Sequence, residues 1–255
     1  MAVFAISYDS VEVLAAFAEK RGISYPLLSD EGSHTIRALE LLNEEHLVQQ
    51  HAFYGIQTRE EQLGVAYPGT FVLNAEGAIS DKYFEQSYRV RPTARIFADY
   101  AHGKSTSASI PADAASASGR GLEVRVWTDA RTYRPYQQVR LHVHLLVPPD
   151  MHVFASPVAE GFTPLSLQIE SLDGLEVGQP RLPAPRRLWL EGLEDQFLAY
   201  EGSIGGMFPL RFTRNLGPSA LILHVRYQAC TPALCFPPST LRVTVPLEGL
   251  DLIRD

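Results

Sequence analysis

Between Gly103 and Gly119 the chain is drawn almost wholly from Ser, Ala, Gly and Thr, broken by Lys104, Ile110, Pro111 and Asp113. Such a stretch buries too little apolar surface to offset the entropy of ordering it, so it predicts a flexible linker over 103–120. The chain is thereby divided into a first half, 1–102, and a second, 121–255, each of ordinary size for one core. The two must fold on separate patterns, and their patterns differ.

In the first half short apolar runs alternate with helical spacing. Val3 to Tyr8 is a nearly continuous apolar run, as in a buried strand. Ser10 caps a helix that places Val11, Leu14, Ala15, Phe17 and Ala18 at helical spacing, with Gly22 just past its end. A second helix is expected from Ser33 to about Leu42. Thr70 to Leu73 reads as a strand, Asn74 to Gly77 as a turn, and Ala78 to Phe84 as the returning strand of a hairpin. Pro92 opens a last helix containing Ala94, Ile96, Phe97 and Tyr100. The order β-α-α-β-β-α argues for an α/β layer fold.

The second half is all strand pattern: Leu122–Trp127, Gln138–Val147, Leu165–Glu170, Phe197–Ile204, Leu210–Phe212, Ala220–Ala229 and Thr240–Leu247. About seven short runs with Pro and Gly between them, and no helical period, predict an immunoglobulin-like sandwich.

Charge removes several functions. The net charge is −7, with 9 basic against 14 acidic residues up to Lys104 and 13 against 15 beyond it. Neither half has the basic excess that nucleic acid demands, and no Lys/Arg run marks an anionic membrane surface. No run of eighteen apolar residues offers a membrane span. The residues from Met1 to Asp9 hold no basic leader and no cleavage site. Localisation stays open: cytoplasmic if Met1 is the true start, periplasmic or exported if the chain begins downstream of it.

The two cysteines of the chain, Cys230 and Cys235, bound a four-residue loop between the last two strands. Strands so joined are neighbours, which brings the pair within disulfide range. One reading is a hairpin staple. Against it, closing a six-residue loop stabilises by only about 2 kcal/mol, where a hundred-residue loop gives about 4.7. A Pro-rich surface loop also suits a pair that opens and closes, and the two readings balance on spacing alone. A zinc site lacks a second ligand pair at usable spacing.

Residues 121 to 248 resemble the periplasmic amino-terminal domain of the thiol:disulfide interchange protein DsbD and related disulfide-corrector domains. The likeness is carried by Met151-His152-Val153-Phe154, Gly161-Phe162-Thr163-Pro164-Leu165, Tyr200-Glu201-Gly202, and Tyr227-Gln228-Ala229-Cys230 with Cys235 and Pro237-Pro238. It implies a carrier of reducing equivalents whose redox pair is Cys230 and Cys235, exchanging disulfides with thioredoxin-fold partners. It also implies an aromatic cap loop over the cysteines. By position, Glu194, Asp195 and Phe197 are the cap candidates with Phe197 as lid, although an ordinary strand-core place suits Phe197 slightly better. Familiar members carry one more residue between the cysteines.

The first half resembles the redoxin group (alkyl hydroperoxide reductase and thiol-specific antioxidant proteins) of the thioredoxin superfamily. The matching residues are Phe4 to Asp9, Phe17-Ala18-Glu19-Lys20, Tyr25 to Asp30, and Tyr67-Pro68-Gly69-Thr70-Phe71-Val72. Pro68 falls at the family's cis-proline. The family's active segment is absent: residues 1–105 contain no cysteine, so this half as given cannot perform peroxidase chemistry. By the same likeness residues 3–8 match the second strand, and the first βα unit is missing. Strands deprived of their central neighbour expose unpaired edges, which predicts an incomplete thioredoxin-like domain and a start downstream of the natural one.

The chain also holds weaker constellations. His142 and His144, with Met151 and His152, suggest copper in a sandwich, but no third ligand is fixed by spacing and an exposed strand face is the better reading. Arg89 and Arg91 read as solvated charges, and the polar segment Asn43 to Gln62, with His46, His51 and Glu60-Glu61, as an insertion. No cofactor and no metal is implied. The function expected is thiol:disulfide exchange against a thioredoxin-fold redox protein, which includes the chain's own redoxin domain if a fuller form supplies a cysteine. The alternative is a protein-binding sandwich with an inert staple and a redoxin-like scaffold.

Overall fold

The computed structural model describes residues 2–43, 57, 66–84, 91–92, 110–189 and 196–251. Its chain divides into two units, Met1–Arg91 and Pro92–Asp255. In the first, the order is β1 (Ala5–Ser7), α1 (Val11–Arg21), β2 (Leu27–Ser29), α2 (His34–Ala38), β3 (Gly69–Leu73) and β4 (Ile79–Phe84), and the two-residue β5 (Arg91–Pro92) spans the division between the units along the chain.

Helix α1 has the ends its sequence predicts. Ser10 Oγ accepts from the Val13 N–H at 3.4 Å, and Gly22 takes the left-handed conformation at φ 61°. There the Ile23 N–H reaches back to the Ala18 carbonyl at 2.9 Å, satisfying a terminal acceptor. Helix α2 stops after five residues, half the expected length. The Asp30 carboxylate takes the N–H groups of Thr35 and Ile36, both at 2.9 Å, and Glu40 at φ 56° turns the chain out of the helix.

β1 pairs in parallel with β2, setting Ile6 opposite Leu28, and β3 pairs with β4 as the expected hairpin. The Asn74–Gly77 turn closes with Gly77 N–H on the Asn74 carbonyl at 3.1 Å and Ala78 N–H on Asn74 Oδ1 at 2.8 Å. Among the described residues no pairing joins these two ribbons. The run from Val3 is therefore not the buried strand expected: Ile6 is 49% exposed, and Val3 and Phe4 are exposed too. A two-stranded ribbon has no inner position to bury them. The expected helix beyond Pro92 and nearly all of the segment from Asn43 to Gln62 lie outside the described residues.

The second unit holds β6 (Ala115–Gly119), β7 (Leu122–Thr128), β8 (Thr132–Tyr133), β9 (Gln137–Leu146), β10 (His152–Phe154), β11 (Ser166–Ile169), β12 (Leu175–Val177) and β13 (Arg186–Leu188). It continues with β14 (Phe197–Tyr200), β15 (Ser203–Phe212), β16 (Pro218–Tyr227), β17 (Ala229–Cys230) and β18 (Ser239–Gly249). One sheet runs β12-β15-β9-β7-β6 and a second β11-β16-β18-β8. Between them lies one apolar core that includes Val124, Val126, Leu141, Val143, Leu145, Phe208, Leu223, Val225 and Val243. These alternate along each strand with outward polar residues, which is why the sheets stack face to face as an immunoglobulin-like sandwich. Asp129 fastens the β7–β9 connection: its carboxylate takes both the N–H and the Nε of Arg140, each at 3.0 Å.

Two expectations are corrected here. The segment 115–119, expected within the linker, is a strand paired with β7. Its last residue, Gly119, lies against the Tyr227 hydroxyl, where a Cβ would come within 2.5 Å. The expected strand Phe197–Ile204 is two strands, because Gly202 at φ 63° turns the chain between β14 and β15. The continuation from Ser203 absorbs the separate Leu210–Phe212 strand.

Candidate functional site

The site is built on a third, smaller sheet ordered β13-β14-β10-β17. After β16 the chain leaves the main sandwich at Tyr227, pairs for two residues with β10, turns through Thr231–Leu234, and rejoins the sandwich as β18. In β10 Val153 lies opposite Ala229, and His152 opposite Cys230. Val153 and Ala229 belong to the main core. By the two-residue period of a strand, His152, Phe154 and Cys230 therefore face the other way.

Cys230 and Cys235 are joined in a disulfide with Cα atoms 4.0 Å apart. Cys230 is fully buried, at 0% exposed, and Cys235 is half-buried. Between them the loop is a tight turn: the Thr231 N–H donates to the Leu234 carbonyl at 2.8 Å, and the Thr231 hydroxyl accepts from the Leu234 N–H at 3.0 Å. Leu234 stands at the tip, 58% exposed. Below it, the Phe236 N–H bonds the Ala229 carbonyl at 2.9 Å, and the Arg120 guanidinium lies 5.0 Å over the Phe236 ring.

Gln228, only 7% exposed, holds this excursion to its neighbours. Its Nε2 donates to the Phe236 carbonyl at 3.0 Å, and its Oε1 accepts from the Thr163 N–H at 2.9 Å. The sequence places Gln228 within the cysteine motif but gives no sign of this clamp, since its partners lie eight and sixty-five residues away.

The face of β10 that carries His152 is covered by aromatic rings. Phe197 packs against His152 with centroids 5.1 Å apart and against Phe154 at 5.3 Å, while Phe162 meets Phe154 at 4.7 Å. Burial pushes the His152 imidazole pKa below its ordinary value, against the opposing pull of the Glu201 carboxylate. The sequence presents His152 within the Met151–Phe154 motif and as a metal ligand; its register with Cys230 is what spacing could not show.

Of the sequence-predicted residues, the structure joins Cys230 to Cys235 and links Phe197 to them through His152. Glu194 and Asp195 lie outside the described residues. Pro68 corrects the cis-proline expectation: the cis peptide described is Ser156–Pro157, and the Tyr67–Pro68 bond is trans. The chain enters β3 extended, with the Tyr67 N–H on the Leu41 carbonyl at 2.7 Å and Leu42 bridged to Ala66, so no tight turn calls for the rarer isomer. The histidines of β9 also differ from expectation. His142 is buried and stacked on Trp127 at 5.4 Å, and His144 bonds the Ser203 hydroxyl at 2.7 Å. Among the described residues no three His, Cys, Asp or Glu side chains converge as a metal site would require.

The second unit is thus an immunoglobulin-like sandwich bearing a short-loop disulfide on the side of a small sheet turned away from its core. Residues 124–247 match the family model for the N-terminal domain of thiol:disulfide interchange protein DsbD, and residues 1–82 match that of the AhpC/TSA family. Among solved structures, the reduced DsbD N-terminal domain of Neisseria meningitidis is similar, at 16% identity and a TM-score of 0.31, over 43% of this chain and 78% of that one. The N-terminal periplasmic domain of ScsB from Proteus mirabilis gives 10% identity and a TM-score of 0.38, over 51% of this chain and 49% of that one. A complex of the DsbD and PilB N-terminal domains from Neisseria meningitidis gives 14% identity and a TM-score of 0.30, over 41% and 73%. No curated protein matches the chain. The DsbD family match and the Cys230–Cys235 disulfide together fit a thiol–disulfide redox relay.

Proposed function

We propose that the protein exchanges thiols for disulfides through Cys230 and Cys235, which cycle between disulfide and dithiol against a thioredoxin-fold partner. The observation that carries this reading is the asymmetry of the pair. One cysteine is fully buried and the other half-buried, on a loop whose exposed tip reaches solvent. A bond closing so short a loop adds only about 2 kcal/mol to stability, so a structural purpose gains little from it. The DsbD family match supports the same chemistry.

In the reducing direction, a partner thiolate attacks the more accessible Cys235 sulfur. The Cys230–Cys235 bond breaks, a mixed disulfide forms at Cys235, and the electron pair leaves on the Cys230 sulfur, which takes a proton. The partner's second thiolate then attacks its own sulfur of the mixed bond and releases Cys235, which is protonated in turn. The partner ends as a disulfide and this chain as a dithiol. Phe197 serves as the lid of the site, lying over the ring of His152 beside the pair. The first unit is a thioredoxin-like fold of the redoxin type, supported by its AhpC/TSA match; without a cysteine in this sequence it contributes no thiol to the cycle.

The test is the reduction potential of the pair, read by mass spectrometry of alkylated protein across dithiol buffers. A value above roughly −250 mV places it among exchangeable couples. A value below about −300 mV marks a structural bond and favours a protein-binding sandwich with an inert staple.

A further inference from the structure

One group beside the disulfide takes no part in the steps of the exchange. His152 is 4% exposed, and among the described residues its Nε2 has no hydrogen-bond partner. A buried polar nitrogen left unpaired disfavours the state that contains it by about tenfold or more in equilibrium constant. The rings of Phe154 and Phe197 pack against this imidazole and offer it no hydrogen-bonding group.

Its cross-strand neighbour is Cys230. Directly opposed residues of an antiparallel pair leave the same face with Cβ atoms about 5 Å apart, within reach of an imidazole and a thiol. In the disulfide the Cys230 sulfur carries no hydrogen. In the dithiol it carries an S–H, which is a donor. A neutral imidazole with its proton on Nδ1 presents Nε2 as the matching acceptor, and burial keeps this imidazole neutral.

We propose that His152 Nε2 accepts the thiol hydrogen of reduced Cys230, and that this bond, present only in the dithiol, makes the pair easier to reduce. Reduction breaks the Cys230–Cys235 bond with two electrons and two protons, all supplied by the partner dithiol as it becomes a disulfide. One of those protons stays on the Cys230 sulfur and satisfies the orphan nitrogen. The histidine is a positioning residue that touches neither partner nor the accessible sulfur. The inference rests on the relay reading, which gives the shifted equilibrium its use.

The experiment compares the full-length wild type with His152→Phe, His152→Leu and His152→Gln in graded dithiothreitol buffers, with alkylation and mass spectrometry as readout. The Phe and Leu variants should be about tenfold harder to reduce, equivalent to a potential about 30 mV more negative. His152→Gln, which keeps an acceptor, should stay within threefold of wild type. A purely structural histidine would change melting temperature and leave the potential in place, so Phe and Leu variants within twofold of wild type overturn the proposal. In the unmutated protein the Nε2 ¹⁵N resonance should move on reduction, and an unmoved resonance overturns the proposal without any variant. The relay fails separately: a wild-type pair that no thioredoxin-class dithiol reduces, with the tenfold ratio intact, sinks the exchange function and keeps the hydrogen bond.

Discussion

Replacing Gln228 by Met removes both hydrogen bonds of the clamp under the cysteine loop while keeping the side chain's length. The Thr163 N–H and the Phe236 carbonyl lose their partners, at 2.9 and 3.0 Å respectively. A neutral hydrogen bond contributes about 1 kcal/mol net, and a group left buried without a partner costs about 1–3. Thr163 and Phe236 are half-buried, so water recovers part of the loss, and the sum settles at about 2–3 kcal/mol. Gln228→Glu gives a sharper comparison. Its carboxylate still accepts from Thr163 but faces the Phe236 carbonyl with no hydrogen to give, and only in acid, once protonated, can it donate there. The assay is urea unfolding of the oxidised protein followed by tryptophan fluorescence, since both tryptophans, Trp127 and Trp189, lie in the second half. Gln228→Met within 0.5 kcal/mol of wild type (a limit set well below the cost of one lost bond) would show that the clamp carries no load. So would a Gln228→Glu deficit that does not shrink between neutral pH and about pH 4, near the ordinary carboxyl pKa.

Three further outcomes follow from the same geometry. Phe197→Ala should speed reduction of the disulfide by a small dithiol severalfold, measured by stopped-flow thiol release; an unchanged rate would remove its role as lid. Gly121→Ala should destabilise by about 2–3 kcal/mol in thermal melts, because Gly121 sits at φ 74° and a Cβ there would lie 2.7 Å from that of Ala229; a melting point equal to wild type would refute the strain. The pKa values of His152 and His144 are lowered chiefly by burial, with Arg125 adding to the effect at His144. As pH falls from 7 through about 6.5, the ordinary histidine value, the unfolded chain therefore binds these protons first, and the contribution of both residues to stability is progressively lost. His152→Phe should melt with a flatter pH dependence over that window, and an identical slope would mean that His152 does not titrate as placed.

Much of the fold is legible where local chemistry decides it. The ends of α1 follow from Ser10 and Gly22, the β3–β4 hairpin from Asn74 and Gly77, and β7, β9, β16 and β18 from alternation across a buried face. Legibility ends where a distant partner decides. β6 is written in Ala, Ser and Gly and reads as linker, yet it pairs with β7, and at Gly119 the Tyr227 hydroxyl leaves no room for a Cβ. Gly202 reads as one glycine inside a strand, and only its left-handed backbone divides β14 from β15. At the site, the pairing of the two cysteines is visible from spacing and likeness. His152 and Gln228 gain their places through strand register and through bonds to residues far along the chain, which no local pattern encodes. Pro68 shows the converse: likeness to a family supplies an isomer that the local pairing of Tyr67 does not require.

The passage from β16 through β17 to β18 bears on how such a site tolerates change over evolution. The disulfide loop is a brief detour whose two ends are fixed in one long hairpin, paired from Pro218 with Glu248 to Tyr227 with Ser239. Residues added to or removed from the detour leave that hairpin's register alone, and lengthening a loop costs little because closure entropy grows only logarithmically. The hairpin that presents the cysteines is thus separable from the length of the loop between them, which leaves that loop open to lengthening by engineering.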